Sequence, residues 1–310
     1  MPRPLIIGCR TSALARLQAQ LLYDKLIDRT PRPCSVRGTK RLEFPPDEDG
    51  FKGIFITGLE AALRTGVIDI AVHSMKDVPG GRELDEDFAL HSILPRDNPL
   101  DALITGHGAI TVHDLPSGGQ VATSSPRRQA QLASLRPDLS LVSLRGNVDT
   151  RLAKASCFDG IILAACGLTR LGRKDQISSL ISIEHMLPAA GQGTLAVQYR
   201  REDDDIAELL APLVDEETQL QTQAERGFLH GFGGDCTSPL AAFASVEKGQ
   251  VFLRTQHLRS ENSRSDAKIE KIEKNIRMVP SQAWEIGVRT GEDLRATSKS
   301  RTNLAVESPL

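Results

Sequence analysis

A lysine and an aspartate, Lys76 and Asp77, stand side by side just after a short apolar run and just before Pro79. The run at residues 70–72 is typical of a buried strand, and a proline stops regular structure from continuing. Ligands in open α/β sheets bind beyond the carboxyl ends of the strands. The lysine could therefore bind an anion, and the aspartate could serve acid–base or cation-stabilising chemistry. A solvated ion pair on a surface turn is the alternative interpretation of the same spacing.

Basic residues follow other predicted strands in the same way. The set is Arg10, Lys76, Arg127, Arg128, Arg145, Arg151 and Arg170. If the strands of each sheet are parallel, the loops that carry these residues converge at one edge of the sheet, where helix N-termini add positive potential. The planar fork of arginine binds carboxylates and phosphates bidentately. A single arginine is more often a solvated side chain, but the recurrence at strand ends predicts a cleft for a small polyanion.

The composition is that of an ordinary soluble globular protein and excludes several functional classes. A chain of 310 residues with a net charge of −2 should form about two or three domains, and it has no general attraction to nucleic acid. No apolar run approaches the ~20 residues of a membrane span, and the N-terminal residues contain no secretory or transit segment, which predicts a cytoplasmic location. The five cysteines form no Cys-x-x-Cys pair, so reduced thiols and no zinc site are expected.

Strand and helix patterns alternate through most of the chain and place the basic residues in loops. A strand at residues 5–8 precedes a helix at 13–27 that Ser12 can cap. In the same way, Ser125 can cap a helix whose first residue is Pro126, the position that proline favours.

The remaining signals are weaker, and most of them lie towards the C-terminus. Residues 57–60 have the composition of a capping box. Residues 216–232 predict a helix followed by a Gly-rich loop with Cys236. An isolated cysteine is more often a small buried hydrophobe than a reactive group, but the Gly-rich loop argues against burial. Strands are predicted at 240–245 and 251–253, and the last dozen residues are expected to be disordered.

These patterns predict an α/β fold of three domains. The first comprises residues 1–94 and 187–212 and carries Asp77. The second, residues 95–186, carries arginine-rich loops, and the third, residues 213–310, is a small α+β domain.

The stretch Asp-Ile-Ala-Val-His-Ser-Met-Lys-Asp-Val-Pro at residues 69–79 resembles the signature of the porphobilinogen deaminases, also called hydroxymethylbilane synthases. The resemblance covers roughly residues 5–254. Its further motifs are Arg10-Thr-Ser-x-Leu-Ala, Lys52-Gly, Thr123-Ser-Ser-Pro-Arg-Arg-Gln, Leu144-Arg-Gly-Asn-Val-Asp-Thr-Arg-Leu, Leu187-Pro-Ala-Ala-Gly-Gln-Gly and the Cys236 loop.

The resemblance implies a fold, a reaction and a cofactor. The fold is two α/β domains like those of periplasmic binding proteins, with a cleft between them, and a small third domain. The reaction is a transfer that condenses four porphobilinogen molecules into hydroxymethylbilane and releases ammonia. The cofactor is a dipyrromethane that Cys236 holds through a thioether. A monomer, with no metal, nucleic acid or membrane as partner, is expected.

The resemblance also implies roles for individual residues. Asp77 is implied to be catalytic, because it contacts pyrrole nitrogens and assists the loss of ammonia. The residues implied to bind the cofactor besides Cys236 are Lys76, Ser125, Arg127, Arg128, Arg145 and Arg151. Those implied to bind the substrate are Arg10, Ser12, Lys52 and Arg170.

Two other functions are compatible with the sequence: a small-anion binding protein without chemistry, and a relative of the enzyme that has lost turnover. His73 could be a catalytic base, but a histidine at the end of a buried strand more often hydrogen-bonds to its neighbours, so a structural role is predicted.

Overall fold

A computed structural model describes residues 4–27, 29, 34–38, 54–81, 85–106, 111–234, 238–260 and 269–306. The chain divides into two compact units. Unit 1 comprises residues 1–79, 84–97 and 193–219, and unit 2 comprises residues 80–83, 98–192 and 220–310.

Strands and helices are interspersed along the chain, with four strands in succession between α2 and α3. The strands are β1 (Leu5–Cys9), β2 (Cys34–Gly38), β3 (Ile70–Ser74), β4 (Phe88–Ile93), β5 (Asp101–Ile104), β6 (Gln120–Ala122), β7 (Ser140–Val142), β8 (Gly160–Ala164), β9 (Ser179–Ile181), β10 (Leu195–Arg200), β11 (Leu240–Glu247), β12 (Gln250–Ser260) and β13 (Ile269–Met278). The helices are α1 (Ala13–Leu26), α2 (Ile54–Arg64), α3 (Pro126–Leu135), α4 (Val148–Leu152), α5 (Ala165–Arg170), α6 (Asp204–Leu210), α7 (Glu216–Phe232) and α8 (Ala283–Val306).

Unit 1 is built on a five-stranded sheet with the order β2-β1-β3-β10-β4. Strand β1 pairs in parallel with β2 and β3, whereas β10 runs antiparallel to β3 and β4. One face carries the largest core of this unit, in which Ile7, Val72 and Val197 pack against Leu22 of α1. Apolar residues on both faces explain why these strands read as continuous hydrophobic runs.

Unit 2 contains a sheet of the same design, with the order β7-β6-β8-β5-β9. Strand β6 pairs in parallel with β7 and β8, and β5 runs antiparallel to β8 and β9. Each sheet therefore contains one antiparallel strand, and the condition of purely parallel strands is met only by the other four. The first residue of that strand lies at the edge where the parallel strands end.

A third, smaller sheet in unit 2 is an antiparallel meander of β11, β12 and β13. Its core joins Leu253 and Ile272 of the sheet to Phe228 of α7 and Leu294 of α8. The predicted fold class, α/β with a small α+β part, is confirmed. The expectation of disorder in the last dozen residues is wrong up to Val306, where α8 ends.

The helix starts partly follow the predictions. Ser12 caps α1 by accepting a hydrogen bond from the Ala15 backbone N–H at 3.3 Å, and Ser125 caps α3 through the Arg128 N–H at 3.5 Å. The capping box at residues 57–60 is wrong, because α2 already begins at Ile54.

Candidate functional site

The Lys76–Asp77 pair lies in a single 3₁₀ turn, Met75–Asp77, that directly follows β3. The buried Met75 anchors the turn, and its backbone N–H donates to the Thr194 carbonyl at 3.0 Å. The Val78 N–H closes the turn on the Met75 carbonyl, also at 3.0 Å. Because the turn is fixed at its buried first residue, Asp77 is presented at the strand end with its side chain exposed.

Arg10 follows β1 and forms an ion pair with Asp77, with 3.5 Å between Nη1 of the arginine and Oδ2 of the aspartate. The two side chains are 38% and 47% exposed. Ion pairs with this exposure contribute little to stability, so a ligand can replace the contact at small cost. The structure thus brings the predicted Arg10, Ser12, Lys76 and Asp77 to one edge of the unit 1 sheet.

A buried chain of polar side chains lies beside this turn within the sheet. His73 Nε2 is 3.1 Å from Gln198 Oε1, and Gln198 Nε2 donates to Glu60 Oε1 at 2.9 Å. Burial lowers the pKa of His73 to about 4, so its imidazole is neutral at neutral pH. Since the Gln198 amide nitrogen donates to the carboxylate, its oxygen accepts from Nε2–H, and this fixes the tautomer. The predicted hydrogen bond between His73 and a neighbour is present, and the absence of a catalytic role stays a prediction.

The first turn of α3 carries two buried arginines that share one buried carboxylate. Arg127 Nη2 donates to Asp101 Oδ2 at 2.7 Å, and Arg128 donates to Oδ1 through Nε at 3.0 Å and Nη2 at 2.7 Å. The side chains of Arg127 and Arg128 are only 4% and 6% exposed, and Asp101 is fully buried. We call Asp101, Arg127 and Arg128 the buried arginine cluster.

The antiparallel course of β5 explains the position of Asp101. Asp101 is the first residue of β5 and pairs with Ala164, the last residue of β8, so it lies at the carboxyl edge of the parallel strands. Gln192 Nε2 also donates to Asp101, at 2.9 Å. Burial opposes ionisation of Asp101, but the two arginines and Gln192 outweigh it and hold its pKa well below its usual range.

One further donor of each arginine bonds to a backbone carbonyl. Arg127 Nη1 donates to the Leu187 carbonyl at 2.6 Å, and Arg128 Nη1 donates to the Ile162 carbonyl at 3.0 Å. Arg127 Nε is buried and has no hydrogen-bond partner within the described part of the chain. These two arginines bind a carboxylate, as their type predicts, but it is a carboxylate of the protein. Their contact with a cofactor stays a prediction.

Three further arginines lie beyond β7 and β8 of the same sheet. In the loop after β7, Asn147 caps α4 by accepting from the Thr150 N–H at 2.8 Å, and Arg151 Nε donates to the Gly146 carbonyl at 2.8 Å. Arg145 is exposed, and Arg151 and Arg170, the last residue of α5, are half-buried. These three residues are thus more exposed than Arg127 and Arg128.

Two predicted residues, Lys52 and Cys236, lie outside the described residues. Sequence reasoning missed Asp101, Gln192 and Gln198. A signal for Asp101 exists in the sequence, since a carboxylate within an otherwise apolar strand must have a partner.

Metal and membrane sites are not indicated. Within the described ranges, no group of three or more His, Cys, Asp or Glu residues could hold a metal ion. None of the helices in those ranges is long and apolar enough to cross a membrane.

Two family models match the chain. Residues 5–208 match "Porphobilinogen deaminase, dipyromethane cofactor binding domain", and residues 219–296 match "Porphobilinogen deaminase, C-terminal domain". A curated porphobilinogen deaminase from Roseiflexus sp. (strain RS-1) is 44% identical over 262 residues, covering 82% of this chain and 86% of the relative. The porphobilinogen deaminase of Syntrophotalea carbinolica is 46% identical over 250 residues and covers 78% of each chain.

Solved structures show only weak likeness. The periplasmic VFT2 domain of Bordetella pertussis BvgS is 17% identical with a TM-score of 0.41, covering 67% of this chain and 85% of that one. A reduced form of OxyR from N. meningitidis is 14% identical with a TM-score of 0.42, covering 68% and 94%. Likeness at this level says nothing about function.

Proposed function

Because the chain belongs to the porphobilinogen deaminase family, a family of transferases, we propose that it joins four porphobilinogen molecules stepwise into the linear tetrapyrrole hydroxymethylbilane and releases ammonia. The observation that carries the proposal is the half-exposed Arg10–Asp77 pair at the end of β3, within the stretch that the family model matches. A monomer in the cytoplasm, expected from the sequence, is part of the proposal.

Asp77 acts on the charge that develops as porphobilinogen reacts. Loss of ammonia from the aminomethyl group leaves positive charge on the substrate, which the surrounding basic residues repel. A carboxylate at ~4 Å, with an effective dielectric constant near 20, would stabilise that charge by about 4 kcal/mol. Solvent reaches nearly half of the Asp77 side chain in the free protein, so the gain grows as bound substrate displaces water.

Arg10, Ser12 and Lys76 hold the acidic arms of the substrate beside Asp77. Arg10 already lies on the Asp77 carboxylate, and a substrate carboxylate can take over part of its guanidinium because the ion pair is exposed and weak. Ser12 opens α1, whose N-terminus adds a favourable potential for an anion. Substrate-binding roles for Arg170 and for Lys52, which lies outside the described residues, belong to the same proposal.

The described residues fit a dipyrromethane, whose acetate and propionate arms carry several negative charges. Lys76, Arg145 and Arg151 offer cationic donors at strand ends, and each is at least partly exposed. When bound, the group supplies the pyrrole carbon to which the first substrate unit is joined. We place its attachment at Cys236. Cofactor-binding roles for Ser125, Arg127 and Arg128 belong to the same proposal, with the two guanidinium groups held in place by Asp101.

Nothing in the described part of the chain favours the alternatives of an anion receptor or an inactive relative. A receptor would gain nothing from a carboxylate that faces a basic edge.

The experiment is the intact mass of the purified protein, followed by a porphobilinogen-consumption assay. The wild-type mass should exceed the sequence mass by one dipyrromethane, Cys236→Ser should remove that adduct and the activity, and Cys157→Ser should change neither. Cys157 is the matched control because it is an exposed free thiol. An unmodified protein with full activity would contradict the cofactor assignment.

A further inference from the structure

A glutamine lies on the apolar face of α1. Gln18 is only 3% exposed, and its neighbours on this face, Ala15, Ala19 and Leu22, belong to the core of unit 1. An apolar side chain would fill this place without any hydrogen-bond partner, whereas a buried amide requires one. The packing of α1 therefore does not explain why residue 18 is a glutamine.

The partner of Gln18 is the last residue of β3. Gln18 Nε2 donates to Ser74 Oγ at 2.9 Å. Ser74 directly precedes the turn Met75–Asp77, at the position from which a serine often caps a helical turn. Among the described residues, its side chain makes no such cap and accepts from Gln18 instead. The amide on α1 thus holds the residue from which the Asp77 turn departs.

The opposite face of β3 is held in the same way. Successive side chains of a strand point to opposite faces of the sheet, so His73 faces away from α1. Its Nε2 donates to Gln198 Oε1 at 3.1 Å, and Gln198, on β10, is fully buried. The backbone of the turn is fixed separately, by the bond from the Met75 N–H to the Thr194 carbonyl. All of these residues belong to unit 1, so contacts within one compact unit determine where β3 ends.

We propose that Gln18 is a positioning residue for Asp77 and acts through Ser74. Backbone bonds to the neighbouring strands hold β3 within the sheet, whereas the Gln18 bond holds its end in the perpendicular direction, along which side chains stand. Arg10 and Ser12 lie at the start of α1, so the same bond relates the residues that hold the substrate to the carboxylate. The inference rests on the proposed function, in which Asp77 stabilises the charge that develops on the substrate.

The expected effect is on the rate more than on substrate binding. Methionine is unbranched like glutamine and adapts to its surroundings, so Gln18→Met keeps the packing of α1 and removes only the donor. A misplacement of about 1 Å at a reacting group costs up to about 100-fold in rate. The backbone bonds of the turn remain in this variant, so we expect a smaller loss, about tenfold in kcat with KM nearly unchanged.

The test compares kcat, KM and melting temperature of full-length, cofactor-loaded variants. Gln18→Met and Ser74→Ala should each lower kcat about tenfold, and the double variant should be no slower than either, because all three lose the same bond. Gln20→Met is the matched control, since Gln20 is an exposed glutamine on the same helix whose amide donates to Asp24 at 2.8 Å. It should keep the wild-type kcat and KM.

The melting temperatures separate positioning from support of the fold. Ser74→Ala leaves the Gln18 amide buried without its acceptor, so it should be the least stable of the variants. The double variant removes both polar groups, so its melting temperature should return towards that of the wild type. If Gln18 only supported the fold, the rate would return as well. We expect the double variant to be stable and slow, and a wild-type kcat in this variant would contradict the inference.

The Asp77→Asn background shows whether Gln18 acts through Asp77. Once the carboxylate is gone, adding Gln18→Met should slow single-turnover porphobilinogen consumption by less than about twofold. A further tenfold loss in this background, or a wild-type kcat for Gln18→Met alone, would mean that the inference is wrong while the role of Asp77 stands. A wild-type rate for Asp77→Asn itself would instead reject the proposed function, and the inference with it.

Discussion

The two five-stranded sheets have the same strand order and orientation, yet they place an arginine–aspartate contact in opposite environments. In unit 1, Arg10 and Asp77 are 38% and 47% exposed and lie 3.5 Å apart. In unit 2, Asp101 is fully buried between Arg127 and Arg128. An exposed ion pair is cheap to open, whereas a buried one cannot lose a partner without leaving an uncompensated charge. From this comparison we propose that the first contact serves chemistry and that the second supports the fold.

The register of the sheets shows how the same design yields this difference. Leu195, at the start of the antiparallel strand of unit 1, pairs with Ser74, the last residue of β3. Asp101 occupies the corresponding position in unit 2, where it pairs with Ala164 of β8. Unit 1 thus keeps this position apolar and places its carboxylate on the turn that follows, at Asp77. One sheet uses the position for packing and the other for charge.

Removing the buried carboxylate should have the largest effect on stability. Asp101→Asn leaves two buried arginines without a counter-charge, so we expect a loss of about 3–5 kcal/mol in the free energy of unfolding, measured by urea denaturation. Asp77→Asn is the matched control and should change it by less than about 0.5 kcal/mol. Equal losses in the two variants would contradict the different roles that we give to Asp101 and Asp77.

The pH dependence gives a second check on Asp101. Its pKa is lowered in the folded state, so its contribution is present above the unfolded pKa of about 3.9 and is lost as the pH falls below that value. The difference in stability between wild type and Asp101→Asn should therefore shrink in acid.

The buried His73 should make unit 1 sensitive to mild acid. Its pKa falls from 6.5 to about 4 on folding, so the unfolded chain takes up the proton first, and stability drops as the pH falls from 6.5 towards 4. Between pH 7 and pH 5, His73 should lower the free energy of unfolding by about 2 kcal/mol. His73→Gln should remove this decrease. His113→Gln, at an exposed histidine, should keep the wild-type slope. If the stability of His73→Gln fell with pH as steeply as that of the wild type, the buried His73 would not be the cause of the acid sensitivity.

The two sheets are alike in having a serine cap on the helix that follows one of their strands. Removing one of these caps should have the smallest effect on stability. Ser12 and Ser125 each cap the helix that follows the second strand of their sheet order, β1 or β6, through bonds of 3.3 and 3.5 Å. Replacing either with alanine should lower the free energy of unfolding by about 1 kcal/mol in urea denaturation. If only one of the two substitutions lowered the free energy of unfolding, the two caps would differ in energy despite their similar geometry.

The sequence reveals elements whose signals are local. Helix α7 has the predicted bounds, 216–232, because a long apolar face and a Gly-rich end mark it. Strand β13 is not predicted, because its charged residues alternate with few apolar ones that reach the core, among them Ile272. Helix α8 is hard to read because it meets α7 through Gly287 and Gly291, and such backbone contacts produce no hydrophobic periodicity.

The residues of the candidate site also differ in whether the sequence reveals them. Strand ends and residue types lead to Asp77 and to the basic residues, since both are visible within a few positions of the chain. The partners of Arg127 and Arg128 are not visible, because Asp101 reaches them only through an antiparallel strand that begins 26 residues before Arg127. Contacts of that kind depend on the strand order.

The central claim is that Asp77 does chemistry without supporting the fold, and single-turnover porphobilinogen consumption by cofactor-loaded protein tests it most directly. Asp77→Asn keeps the shape and removes the charge, so the rate should fall at least about 100-fold while urea denaturation stays near wild type. Asp77→Glu should retain more activity than Asp77→Asn, because the charge survives at slightly altered geometry. Wild-type rates for Asp77→Asn would mean that the chemistry lies elsewhere.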